Sequence, residues 1–185
     1  MSGLMTCVAA AWQPGIGDPN ATGWLTVLAY VLCLVLSVRV WVKLSGQPGR
    51  AFWGLVALLM LFLALNKQLD LQSALTATGR CLAQAQGWYD NRRIVQAAFV
   101  LGVLALMVAA LLMGLRALRG QLARYGLALA GLTVLCGFVA IRAIGFHHMD
   151  ALIGHRSFGV STNYLLENTG LVLIGLNAFR VLRRG

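Results

Sequence analysis

The residues best suited to chemistry in this chain lie in one short stretch. Arg142, His147, His148 and Asp150 follow one another at the end of a long apolar run. Imidazoles, a guanidinium and a carboxylate are the groups that acid–base catalysis or a metal ion would use. Arg142, Phe146 and Asp150 are spaced i, i+4, i+8, so a helix that continues this far sets Arg142 and Asp150 on one face. His147 and His148 are adjacent and point about 100° apart on a helix. They do not form the i, i+4 ligand pair of a helix-borne zinc site. Metal ligation by His147, His148 and Asp150 requires His155 or Asp150 to fold back, and the plainer role of the histidines is interfacial.

The elements that position this stretch follow from composition. The chain has 185 residues, of which 59% are hydrophobic and 11% charged. Its mean hydropathy is +0.79. A soluble domain needs more surface charge than this, and a small core cannot absorb such long apolar runs. The chain reads as a membrane protein. The formal net charge of +10 does not signal nucleic acid, because the basic residues sit at the ends of apolar runs and form no basic domain.

Five spans are expected, at about 24–43, 51–67, 94–115, 123–144 and 163–182. Residues 1–22, with Pro14, Gly15, Gly17, Asp18, Pro19 and Asn20, read as a short extramembrane tail. Between the second and third spans, Leu71, Ala74, Leu75, Thr78, Leu82 and Ala85 recur at helical spacing against Gln72, Arg80, Gln84 and Gln86. That predicts an interfacial amphipathic helix at about 70–86, ended by Gly87, with Asp90 capping the next helix. The fold expected is all-α: a single membrane domain over 1–185, built as a five-helix bundle.

Charge placement gives the orientation. One set of span ends holds Arg39, Lys43, Arg50, Arg116, Arg119, Arg124, Arg180, Arg183 and Arg184 and no acid. The other set holds Lys67, Arg80, Arg92, Arg93, Arg142 and Arg156 together with all five acids and all three histidines. The basic end should face the cytoplasm, with the N-terminus periplasmic and the C-terminus cytoplasmic. No basic n-region precedes the first apolar patch, so a cleaved signal peptide is not expected.

The mixed-charge end is therefore where polar helix ends converge. Its candidate cluster is Lys67, Asp70, Arg92, Arg93, Gln96, Arg142, His147, His148, Asp150, Asn163 and Glu167. Charges inside a bilayer face the bundle interior and pair. Arg142 with Glu167 is the first expected pair, and Asp70 with Arg92 or Arg93 the second. The same groups can serve simply to lock helices together. Cys33 and Cys136 fall inside spans as apolar fillers. Cys7 and Cys81 share the mixed-charge end, but sequence does not supply disulfide geometry. Ala105 with Ala109, and Gly126 with Ala130, are small-residue pairs that suit close helix packing. Tyr30 and Asn177 read as isolated polar groups that bond to neighbouring helices.

Several motifs are absent: no serine-nucleophile elbow, Walker loop, HExxH or haem attachment pair occurs. No cofactor is expected. The segments 12–19, 66–72, 87–93 and 146–150 read WQPGIGDP, NKQLDLQ, GWYDNRR and FHHMD. In these the chain resembles a family of small bacterial multi-pass membrane proteins without an established function. Some similar sequences carry the label isopropylmalate isomerase. That enzyme is soluble and holds an iron–sulfur cluster through cysteines, and no suitable cysteine cluster occurs here. The resemblance implies a bacterial inner-membrane protein and carries over no catalytic residue. Three readings follow. The cluster docks a lipid headgroup or another membrane subunit, with Arg92, Arg93 and Arg142 suited to phosphate or carboxylate. Alternatively the protein is an enzyme at the outer leaflet, with His147 or His148 as base or metal ligand beside Asp70, Asp150 or Glu167. A transporter is the third reading, disfavoured by few spans and no evident polar path to the basic end.

Overall fold

The structure, a computed structural model, describes residues 2–13, 20–69, 71–144, 156–157 and 160–184. Seven α-helices account for most of these residues: α1 (Ser2–Ala11), α2 (Ala21–Lys43), α3 (Arg50–Leu69), α4 (Leu71–Ala85), α5 (Arg92–Ala117), α6 (Leu122–Ile144) and α7 (Thr162–Arg183). Two-residue strands, Arg156–Ser157 and Val160–Ser161, pair antiparallel just before α7. Five helices (α2, α3, α5, α6 and α7) are long and apolar enough to cross a membrane. The expected five-helix, all-α bundle is the observed architecture.

Bundle order follows from which side chains are small or polar. α2 packs against both α3 and α7, α7 against α6, and α5 mainly along α6. The buried residues of α2 are Gly23, Thr26, Tyr30, Cys33, Ser37 and Val40. Alternating steps of three and four make this a heptad seam, the pattern that keeps one helix face on its partners. α6 and α7 meet most closely at Gly131 and Gly170. A Cβ on Gly131 would lie 2.6 Å from the Gly170 carbonyl oxygen, and one on Gly170 would lie 2.7 Å from Leu135 Cγ. Gly126 has nothing within 4 Å of its would-be Cβ, so the expected Gly126–Ala130 pair is not the crossing point. Small-residue spacing alone does not reveal which face meets a neighbour.

The basic ends of the helices gather around one aromatic. Tyr125, fully buried, donates its hydroxyl to the Pro48 carbonyl at 3.3 Å and packs against Phe52 and Trp53. Lys43 donates to the carbonyls of Val181 and Leu182, satisfying the end of α7 as a C-terminal cation should. α5 is the outlier: no residue of its span is buried within the protein. Its apolar side chains, among them Ile94, Phe99 and Leu106, are left for lipid or a partner.

The opposite end differs from expectation in one respect. Residues expected as a plain tail include a helix, α1, which packs on α4 and is joined to it by a Cys7–Cys81 disulfide. Pro14 to Asn20 are strong turn formers, and they masked the apolar helix before them. α4 turns Ala77 and Cys81 inward and leaves Leu75 exposed, so the side facing α1 is one step round from the apolar face. Gly87 ends α4 at φ +75°, with Trp88 N–H bonding Ala83 O and Gly87 N–H bonding Gln84 O. This is the Schellman arrangement. α5 follows a single 3-10 turn, Tyr89–Asn91, and its N-cap is Asn91 with no side-chain cap bond, rather than Asp90.

Candidate functional site

Three helices bring their polar groups together near the mixed-charge end. α2 supplies Tyr30, α3 supplies Lys67 from its last turn, and α7 supplies Glu167 from its second turn. Glu167 is only 3% exposed. Tyr30 donates its hydroxyl to Glu167 Oε1 at 3.0 Å, and Lys67 Nζ donates to Oε2 at 3.1 Å. The carboxylate thus has a separate donor on each oxygen, and the ammonium neutralises it where water is scarce. Asn168, the next residue on α7, donates to Oγ1 of Thr26, one turn before Tyr30 on α2, at 3.2 Å and to its own helix at Tyr164 O.

Gln68 adds unused capacity. Its amide nitrogen and oxygen are both buried, and neither has a hydrogen-bond partner among the described residues. Such groups are costly and few in native proteins, and each calls for an explanation. The amide sits next in sequence to the ion-paired Lys67. A carboxylate between a phenol and an ammonium can hold helices in register, bind a polar group, or exchange a proton through the phenol.

The sequence-derived cluster divides as follows. Lys67 and Glu167 come together as an ion pair. Arg93 and Gln96 lie on the first turns of α5, exposed. The backbones of Arg92, Arg142 and Asn163 lie in α5, α6 and α7, but their side chains are outside the described set, and so is the expected Arg142–Glu167 pair. Asp70, His147, His148 and Asp150 also fall outside the described residues, and with them the Asp70 pairing and the metal reading. Among the described residues no three His, Cys, Asp or Glu side chains gather as a metal site would need.

Tyr30 was the residue whose role sequence reasoning undervalued. A signal was present: Thr26, Tyr30, Cys33 and Ser37 are spaced i, i+4, i+7, i+11 in an otherwise apolar span. That spacing puts them on one face, and Cys33 Sγ indeed reaches Leu171 O on α7 at 3.2 Å. Neither a protein-family model nor a curated protein nor a solved structure matches the chain.

Proposed function

We propose that the protein is a bacterial inner-membrane binding protein, with its N-terminus periplasmic, whose mixed-charge end docks a lipid headgroup or a polar group of another membrane subunit. The observation that carries this reading is the Gln68 amide, buried without a partner among the described residues and next in sequence to Lys67 of the Lys67–Glu167 pair. A ligand oxygen or N–H that meets the amide would remove that penalty. The exposed Arg93 and Gln96 add a cation and an amide at the same end. The positive-inside pattern supports the orientation, and so does a disulfide on the side assigned as oxidising.

The test is purification in mild detergent from native membranes, followed by mass spectrometry of what remains bound. Wild type retains a lipid or a subunit, and Gln68→Leu and Arg93→Ala both lose it while the bundle stays folded. Equal retention by all three overturns the docking reading. A C-terminal reporter active on the periplasmic side overturns the orientation. The enzyme reading draws on Glu167, a buried carboxylate hydrogen-bonded to a phenol. Stoichiometric zinc that is lost in His147→Ala or Asp150→Ala would put that reading in place of docking.

A further inference from the structure

The basic end holds a second site, independent of the first. Two loops meet there. Gly49, in the turn between α2 and α3, lies against the Tyr125 ring so closely that a Cβ would be 2.6 Å from it. This brings Arg50, the first residue of α3, beside the start of α6. Arg124 places its guanidinium 5.4 Å from the centre of the same ring. Arg50 lays its guanidinium over Trp41, 4.9 Å from the ring centre. Aromatic faces thus hold both cations, which limits the freedom each loses on binding.

No described carboxylate compensates their charge. The two described acids, Asp90 and Glu167, lie at the other end of the bundle, and the first turn of α3 contains none. Arg50 Nε–H is buried without an acceptor among the described residues, although the residue as a whole reaches solvent. A buried donor on a cation without an acceptor is a strong demand for an anionic oxygen. The N-terminal dipole of α3 adds to it. The surroundings point to a lipid source: Val42 and Leu122 are 59% and 40% exposed, and Trp41 is half-exposed at the end of its span. Indole at a span end marks the headgroup level.

We propose that the meeting point of the α2–α3 turn and the start of α6 binds the phosphate of an anionic phospholipid, with Arg50 and Arg124 as its two guanidinium contacts. Basic pockets between spanning helices suit such headgroups. The site lies at the opposite end from the docking cluster, and neither claim depends on the other.

The experiment is native mass spectrometry of the purified protein titrated with phosphatidylglycerol or phosphatidylcholine. Phosphatidylglycerol should bind in preference. Arg124→Gln should weaken it about fivefold and Arg50→Gln/Arg124→Gln roughly twenty-five-fold, the scale of one basic residue each at an anionic surface. Arg183→Gln/Arg184→Gln, a pair from the same basic end, should leave binding near wild type. Arg50→Lys should recover part of the loss. Arg124 is exposed, so its single variant carries the test even where Arg50→Gln does not fold. Equal binding of the two lipids overturns the site, as does wild-type affinity in the double variant. A matching loss in the Arg183/Arg184 control reduces it to diffuse charge. Displacement of the lipid by millimolar inorganic phosphate assigns the site to free phosphate instead.

Discussion

Tyr30 and Glu167 are 137 residues apart in the chain and 3.0 Å apart in space. Their bond fixes the register of α2 on α7, two helices that run in the same direction and have no short connection. Cys33 to Leu171 and Lys43 to Leu182 continue that register to the basic end. α2 and α7 are therefore the centre of the bundle, and α3, α6 and α5 are added around them.

The Lys67–Glu167–Tyr30 group yields an asymmetric prediction. Lys67→Met leaves a buried carboxylate without its counter-charge and should cost about 3–5 kcal/mol. Glu167→Gln should cost less, because Lys67 is 15% exposed and can extend to the interface. Tyr30→Phe removes one hydrogen bond to a charge, worth about 1–2 kcal/mol. Unfolding in mixed micelles measures all three. The Lys67→Met/Glu167→Gln double variant should recover stability relative to Lys67→Met alone, and strict additivity would contradict a direct pair.

Glycines on α6 and α7 separate contact from spacing. Gly170→Ala puts a methyl 2.9 Å from the Gly131 carbonyl oxygen and should destabilise by about 1–3 kcal/mol. Gly126→Ala meets nothing and should leave the unfolding midpoint unchanged. An equal loss in both would mean that the α6–α7 crossing lies elsewhere.

Cys7→Ser should free α1 without loosening the spans, since α1 packs chiefly on α4. Hydrogen exchange should rise across residues 2–11 and stay at wild-type levels in α2 and α7. A peptide map of unreduced wild type should show Cys7 linked to Cys81. Faster exchange in α2 would mean that α1 supports the bundle core.

The spans were legible because each is a long apolar run closed by Arg, Lys or Trp, and that pattern reports only on bilayer and chain. Partner choice was harder to read. Glu167 advertised a need for a cation, but Lys67 and the arginines answer that description equally in sequence. What brings Lys67 to it is the α2–α3 hairpin, which returns the last turn of α3 to the level of Tyr30. The basic end was read only as a topology signal. Nothing in the spacing of Arg50 and Arg124 reveals that Gly49 lets Tyr125 bring their loops together.

The Cys7–Cys81 link also constrains how the chain enters a bilayer. Cys7 emerges from the ribosome early, and its partner follows 74 residues later. Two spans, α2 and α3, lie between them. An even number of crossings returns the chain to the face it left, and an odd number would strand the two thiols across the bilayer from each other. The bond therefore acts as a parity check on insertion: a molecule that has threaded just one of the two helices cannot close it.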